Sequence, residues 1–333
     1  MVNVVASTPG LFPLPDWAKS ELADLKGHQK SDLIDGSESE DVTAVYDRAR
    51  SAVIERQKEA GLDRIVEGQL RWDDMLAHPL CVHDNVETRG IIRYYDNNNF
   101  YREPVVTGPL TQSGDMARDL NRVGGVSGLQ AVIPGPYSLF DLATDEQYGD
   151  ESAFIAAIGE FLAGEISEFP SVETIVMLEP SLVEAPPDDS LAPRVSEAID
   201  TVASATDASV ICQPYFGALD EKVHAHLLDA DIDAVGYDFI TDHEQSLYNI
   251  NEYGTKSEIA AGVVDGQNTR VEEVSTIHER IDWVRENTPA ASFETIYVTA
   301  NTGLFYLPES RFEAKLDVLA AASEYEEVHA YND

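Results

Sequence analysis

Cysteine is scarce in this chain, and long apolar runs are absent. The 333 residues include two cysteines, Cys81 and Cys212, and no C-x-x-C pair, so no disulfide framework is indicated. No stretch approaches the roughly 18 apolar residues of a membrane span. The amino terminus, Met1–Gly10, lacks the basic and apolar regions of a signal peptide. These absences predict a cytoplasmic protein without a membrane segment.

Positive charge is also scarce. There are 22 Lys+Arg against 61 Asp+Glu, a formal charge of −39, and the acids are spread along the whole chain. Such a chain would repel phosphate backbones, so we expect no nucleic-acid partner. The charge either serves a cationic partner or is a whole-surface adaptation to concentrated salt, where counterions screen the repulsion. We favour the second interpretation, because helix after helix is acid-rich and lysine is rare.

Nucleotide-binding loops are missing as well. The first strand–helix turn has no G-x-G-x-x-G, and G-x-x-x-x-G-K-[ST] does not occur, so no nucleotide cofactor is indicated. The chain instead alternates short apolar strands with helical patterns, which predicts an α/β fold with a (β/α)₈ TIM barrel, and an open doubly wound sheet as the alternative. The eight predicted strands are Val2–Ala6, Leu62–Val66, Gln130–Ile133, Val172–Met177, Ala208–Cys212, Ala234–Tyr237, Ile259–Val264 and Thr295–Thr299.

Residues 84–128 interrupt this alternation. Ile91–Asp96 and Phe100–Thr107 have strand character and are joined by Asn97–Asn99, a hairpin turn signal. We expect a hairpin inserted after the second strand, within a single barrel domain that spans residues 1–333. Its aromatic residues either stack on a planar ligand ring or only pack together; they are Tyr94, Tyr95, Phe100 and Tyr101.

Polar residues follow nearly every predicted strand, and in a barrel these positions share one rim. The set suits a small polar ligand but does not name a reaction: Ser7, Gln69, Arg71, Asp73, Tyr137, Glu179, Cys212, Asp238, Asp265, Asn268 and Asn301. Arg71 would bind a ligand carboxylate or pair with Asp73 or Asp74. Glu179 would bind a ligand or be an ordinary acid at a strand end.

A zinc site is the sharpest chemical hypothesis for this rim, because Cys212 ends a buried strand. Zinc needs about four Cys, His or carboxylate ligands, or three with an open position. Cys212 and Asp238 are the candidates, but no histidine stands at a strand end, so the ligand set is incomplete. Cys212 would otherwise be a buried reduced cysteine. His224 and His226 are two positions apart on a helix, on different faces, which disfavours a metal pair.

Several motifs, in their order and spacing, resemble the cobalamin-independent methionine synthases, which belong to the uroporphyrinogen decarboxylase-like barrels. The similar segments are Ala6–Pro9 for G-S-x-P, Gln57–Gly68 with Arg71, Asp74 and Met75 for Q-x-x-x-G-L-D…G-E-x-R…D-M, Gly135–Tyr137 for G-P-x-T, Leu178–Pro180 for D-E-P, and Asn301–Leu304 for D-C-G-L.

The departures from that family are informative. Its zinc ligands His, Cys, Glu and Cys would fall on Val210, Cys212, Asp238 and Thr302. Its homocysteine contacts Glu, Asp and His would fall on Gln69, Leu178 and Gln267, whereas Ser7 is retained. Full-length members contain two related barrels, of which the amino-terminal one does not hold zinc. Three segments are more similar to that non-zinc half: Arg93–Pro104, Pro214–Gly217 and Gly262–Asn268.

The resemblance therefore implies a methyltransferase component of methionine biosynthesis. It would bind homocysteine and a methyl-pterin such as 5-methyltetrahydrofolate, and would act with a zinc-bearing homologous barrel protein. Its expected substrate-binding residues are Ser7, Gln69, Arg71, Glu179, Asp265 and Asn268. Two alternatives stay open: a complete single-barrel methyltransferase with an altered metal site at Cys212, Asp238 and Asp265, or a non-catalytic binding or scaffolding subunit.

Overall fold

A parallel sheet organises the chain. The computed structural model describes residues 2–25, 36–95 and 100–325. The strands are β1 Asn3–Ala6, β2 Val86–Arg93, β3 Phe100–Val106, β4 Gln130–Pro134, β5 Thr144–Asp145, β6 Thr174–Leu178, β7 Ser209–Gln213, β8 Ala234–Asp238, β9 Glu258–Val264 and β10 Thr295–Ala300.

Helices follow most of the strands and cover the sheet. They are α1 Asp16–Asp24, α2 Glu40–Ala60, α3 His78–Cys81, α4 Asp115–Asn121, α5 Pro136–Leu142, α6 Glu151–Ser167, α7 Ser181–Glu184, α8 Ala192–Ala203, α9 Glu221–Leu227, α10 His243–Tyr253, α11 Val274–Asn287 and α12 Glu309–Ser323. Within the described ranges, no helix is both long enough and apolar enough to cross a membrane.

Seven of the strands form the main sheet, in the order β1-β10-β9-β8-β7-β6-β4, and every pair in it is parallel. The strands read as continuous apolar runs because both faces are covered. All five residues of β6, for example, are buried. The sheet brings the carboxyl ends of these strands to one edge, as the sequence predicted.

The predicted strand Leu62–Val66 is not a strand of this sheet. It makes a single bridge, between Ile65 and Leu129. The Asp63 and Arg64 amides both donate to the Ala6 carbonyl, at 3.2 and 3.1 Å, and Asp63 Oδ2 accepts from the Ala6 amide at 2.7 Å. Because a side chain takes the place of a backbone partner, the ladder does not extend. The sequence predicted a closed barrel of eight strands, and the structure shows, over the residues that it describes, a parallel sheet of seven.

The outer strands of the sheet nevertheless face each other across this segment. Ser7 Oγ, directly after β1, donates to Gln130 Oε1 of β4 at 2.8 Å, and Gln130 Nε2 donates to the Thr8 carbonyl at 2.7 Å. The sheet is therefore strongly curled.

A separate three-stranded sheet, β2-β3-β5, contains the hairpin. β2 and β3 are antiparallel, from the pair Val86–Val106 to the pair Arg93–Phe100, with a register shift between Thr88 and Ile91. The first hairpin strand thus begins five residues before the predicted Ile91. Asp96 and the predicted turn at Asn97–Asn99 lie outside the described residues.

A loop connects β9 to α11, which begins at Val274. The preceding residues are held as a loop, because the buried Lys315 Nζ donates to the Arg270 carbonyl at 2.7 Å and to Glu272 Oε2 at 2.9 Å. This loop places Arg270 and Glu272 next to the residues that follow β9.

Candidate functional site

The ends of β8, β9 and β10 are tied together by Asp238 and Asn301. Asp238 Oδ1 accepts from the Ile240 and Thr241 amides at 3.0 and 2.8 Å, and Oδ2 accepts from Thr241 Oγ1 at 2.7 Å. Asn301 Nδ2 donates to Asp238 Oδ1 at 3.1 Å, and Asn301 Oδ1 accepts from the Gly266 amide at 2.9 Å. Both oxygens of the predicted metal ligand Asp238 are thus already hydrogen-bonded.

Cys212, the other predicted metal ligand, is fully buried in β7. Burial, together with the nearby Glu179 carboxyl, raises the pKa of the Cys212 thiol well above its ordinary value, so it stays protonated. Metal binding needs the thiolate.

Zinc does not fit the residues at this rim. Val210 and Thr302, where the resemblance places two further ligands, offer no soft donor. Over residues 2–25, 36–95 and 100–325, no group of three or more His, Cys, Asp or Glu could hold a metal ion. We therefore derive no step through zinc on this chain.

Glu179, directly after β6, accepts hydrogen bonds from the first turn of α5. Its Oε1 accepts from the Tyr137 amide at 2.9 Å, and its Oε2 accepts from the Ser138 amide and hydroxyl at 2.8 and 2.6 Å. Burial raises the pKa of Glu179 to about 7, although these hydrogen bonds oppose the rise. Gly135 makes room for it, since a Cβ there would lie 2.1 Å from Glu179 Cδ.

Ser7 and Gln69 are also committed to internal bonds. The Ser7 hydroxyl binds Gln130, as described above. Gln69 Oε1 accepts from the Leu11 amide at 2.8 Å, and Gln69 Nε2 donates to Glu67 Oε1 at 2.9 Å. Gln69 has a φ of 52°, in the left-handed region that few non-glycine residues adopt. These bonds fix the loop after residue 66 against the loop after β1.

Arg71 pairs with neither of the acids that the sequence offered. It donates to Glu38 Oε1 at 2.6 Å and lies 3.5 Å from Asp119 Oδ2. Asp73 instead accepts from Arg102 of the hairpin at 2.9 Å. Arg71 therefore belongs to a buried ion network between α2, α4 and the strand ends.

Asp265 and Asn268 lie in an open cleft of about 160 Å³. Asp265 Oδ1 accepts from the Gln267 amide and Asn268 Oδ1 from the Arg270 amide, both at 2.9 Å. Each bond shapes a tight turn. Of the six predicted substrate-binding residues, these two are the ones at an open surface.

The hairpin lies over the strand ends, and its aromatic rings pack against the residues that follow the strands. Tyr94 is buried and packs edge-on against Tyr95, with ring centroids 4.2 Å apart. Tyr95 OH is 2.7 Å from Ser181 Oγ, and its ring lies 6.0 Å from that of Phe216. Tyr95 and Phe216 both have positive φ, 43° and 78°. Backbone strain of this kind tends to occur at functional sites.

Phe100, in contrast, is 59% exposed and takes no part in this packing. His224 is buried, with Nε2 2.9 Å from Tyr237 OH, and burial lowers its pKa to about 4. The side chain of His226 is 38% exposed. The two histidines thus occupy different environments.

Asp74 was not among the predicted rim residues, yet it is the most perturbed aspartate of this region. Its Oδ1 accepts from the Leu76 and Ala77 amides at 2.7 and 2.6 Å. Its Oδ2 is buried and has no hydrogen-bond partner in the described part of the chain. Burial raises the pKa of Asp74 to about 6. The sequence pointed to Asp74 only through its place beside Met75 in the resemblance and as a possible partner of Arg71.

The fold defined by these elements is that of a B12-independent methionine synthase. A solved structure from a Shewanella species, titled as such an enzyme in complex with selenomethionine, superposes with a TM-score of 0.75 at 17% identity over 96% of each chain.

The family is shown by a second comparison. Residues 82–289 match the model described as the cobalamin-independent synthase, N-terminal domain. This protein therefore belongs to the cobalamin-independent methionine synthase family, as the sequence resemblance predicted. It is 22% identical over 301 residues to a methionine synthase of Saccharolobus solfataricus, covering 89% of this chain and 86% of that protein. It is 23% identical over 314 residues to one of Sulfolobus acidocaldarius, covering 90% and 85%.

Proposed function

We propose that this chain is a cytoplasmic methyltransferase component of methionine biosynthesis that binds the methyl donor, while a zinc-bearing homologous barrel activates homocysteine. The donor would be 5-methyltetrahydrofolate or a related methyl-pterin. The transfer moves a methyl group from the pterin nitrogen to the homocysteine sulfur, which loses its proton as the pterin nitrogen gains one.

The observation that carries this proposal is the match to the amino-terminal domain of the family, which the resemblance identifies as the half without zinc. The strand ends support it, because Cys212 is a buried thiol and Asp238 is hydrogen-bonded through both oxygens. What the rim does offer is aromatic rings and open polar side chains, which suit a planar, polar ligand.

The predicted site residues take two roles in this proposal. Asp265 and Asn268 would contact the ligand, because they line an open cleft. Ser7, Gln69, Arg71 and Glu179 would hold the strand ends in place, because their polar atoms are engaged within the chain. We further propose one barrel domain over residues 1–333, with Leu62–Val66 in the eighth strand position and residues 84–128 as its insertion.

A methyl-transfer assay tests the proposal. The purified chain is incubated with homocysteine and 5-methyltetrahydrofolate, with and without a zinc-bearing homologue, and methionine is measured. We expect methionine to form faster with both proteins than with the homologue alone, and none with this chain alone. Methionine made by the chain alone with stoichiometric zinc would instead support a complete enzyme. Pterin-independent, tight binding to the homologue would support a scaffolding subunit.

A further inference from the structure

A groove beside the ends of β8 and β9 is a second place where a ligand fits. Its larger part, about 500 Å³, lies between the residues that follow β8 and one face of α11. It adjoins the 160 Å³ cleft of Asp265 and Asn268, because Ile240, Thr276 and Arg280 line both. Ligand pockets in proteins typically measure about 300–1,000 Å³.

One wall of this groove is aromatic. Thr276, Arg280 and Trp283 stand four and three positions apart along α11 and therefore share one face of the helix. His243, at the start of α10, meets the Trp283 indole edge-on, with ring centroids 5.1 Å apart. Trp283 is 36% exposed, so the indole still offers surface on which a planar ring can stack.

The arginines of the groove differ from most others in this acid-rich chain. Arg280 has no carboxylate oxygen closer than Glu272 Oε1 at 4.0 Å, and Arg270 has none within that distance, over the ranges that the structure describes. Most other arginines have a carboxylate partner at short range, as in the pairs Arg50–Asp119 at 2.6 Å, Arg102–Asp73 at 2.9 Å and Arg64–Glu173 at 3.2 Å.

Glu272 cannot neutralise Arg280 fully, because it is engaged elsewhere. Its Oε1 accepts from the Asp265 amide at 2.9 Å, and its Oε2 accepts from the buried Lys315 at 2.9 Å. Arg280 Nη1 donates to the Val263 carbonyl of β9 at 2.5 Å, which holds the guanidinium at the junction of the two cavities. A fixed guanidinium with spare donors favours a carboxylate ligand.

We propose that this groove binds an aromatic carboxylate, with the ring against Trp283 and the carboxylate on Arg280. Glu273 and Glu279 also line the groove, so a ligand with many negative charges would be repelled. Two sources carry this chemistry: the benzoyl-glutamate part of a folate-type methyl donor, which rests on the function proposed above, or a free aromatic amino acid.

Calorimetric titration of N-(4-aminobenzoyl)-L-glutamate into the full chain in molar KCl tests the site. We expect saturable binding that weakens roughly tenfold or more in Arg280→Gln, because a charge-assisted hydrogen bond is lost. Trp283→Ala should weaken binding several-fold through lost stacking. Arg311→Gln, at an exposed arginine of α12 outside the groove, is the matched control and should bind as the unaltered chain does.

Because Arg280 also anchors β9, Arg280→Lys and Arg270→Gln accompany it, with thermal melting to verify the fold. Arg280→Lys should keep part of the affinity, and Arg270→Gln should weaken binding without touching Val263. No saturable binding of any aromatic carboxylate, or equal affinities for Arg280→Gln and Arg311→Gln in folded proteins, would overturn the site.

Titration with L-phenylalanine separates the two sources. Tighter binding of the aminobenzoyl-glutamate assigns the groove to the methyl donor, and tighter binding of phenylalanine assigns it to a free amino acid. Both titrations read binding without methyl transfer. A negative methyl-transfer assay would therefore sink the proposed function and leave the groove measurable.

Discussion

At the scale of single residues, Glu179 is the clearest case of burial acting against charge. Burial raises the pKa of Glu179 in the native state to about 7, from an ordinary value of 4.5. Between these two values the native state binds more protons than the unfolded chain, so the free energy of unfolding falls as pH rises. The loss is complete above about pH 7 and amounts to about 3 kcal/mol.

Glu179→Gln should remove this pH dependence, because glutamine does not titrate. The stability advantage of the unaltered chain over the variant should shrink by about 1.4 kcal/mol per pH unit between about pH 5 and pH 7. Urea unfolding of both proteins in concentrated KCl measures it. An advantage that stays constant over this range would show that Glu179 titrates normally.

Gly135 tests the same contact by sterics. A methyl group at this position would enter the space of the Glu179 carboxyl. Gly135→Ala should therefore lower the free energy of unfolding by at least about 1–3 kcal/mol. Gly90→Ala is the matched control, since nothing lies within 4 Å of a Cβ there. Equal stability of the two variants in chemical denaturation would contradict the packing described here.

At the scale of elements, the hairpin is attached through its inner aromatic side. Every residue of β2 after Val86 is exposed, and Ile91 is 70% exposed, whereas Tyr94 is only 1% exposed. The hairpin is therefore held by Tyr94 and by the buried residues of β3, which are Tyr101, Pro104, Val105 and Val106, whereas β2 contributes little. Elements with few buried contacts open at low free energy.

Tyr94→Ala should release the hairpin while leaving the main sheet intact, since truncating a buried aromatic residue costs about 3–5 kcal/mol. Hydrogen exchange read by mass spectrometry should accelerate in residues 86–95 and 100–106 and stay slow in β6, β7 and β8. Ile91→Ala should change neither region. Equal loss of protection in hairpin and sheet would mean that the hairpin is part of one cooperative core.

The strands were largely predictable, whereas the contacts of the site were not. Seven of the eight predicted strands were found from their apolar runs, because a strand buried on both faces of a sheet consists mostly of apolar residues. The prediction of a strand at Leu62–Val66 is wrong, because the Asp63 side chain accepts the hydrogen bond of the Ala6 amide that a neighbouring strand would accept. The Arg71 partners Glu38 and Asp119 are distant in sequence, and local pattern cannot reveal pairs that only tertiary folding creates.

The Trp283 groove was missed for a related reason. Thr276, Arg280 and Trp283 look like the outer face of an ordinary amphipathic helix. Their spacing predicts a shared face. That Arg280 has no carboxylate oxygen closer than 4.0 Å in the described part of the chain can be seen only in the folded structure.

At the scale of the whole molecule, a formal charge of −39 should make the fold depend on salt. Self-repulsion acts over a screening length of about 30 Å at 0.01 M salt and about 3 Å at 1 M. The melting temperature should therefore rise between dilute buffer and molar KCl. A melting temperature that does not rise would contradict the interpretation that the charge is an adaptation to concentrated salt.

The division of labour between two proteins is the central claim, and zinc content tests it most directly. The purified chain and Cys212→Ala are dialysed against zinc and then against buffer, and bound metal is quantified by mass spectrometry. The account predicts substoichiometric zinc in both proteins, with no difference between them. One zinc per chain that is lost in Cys212→Ala would contradict it.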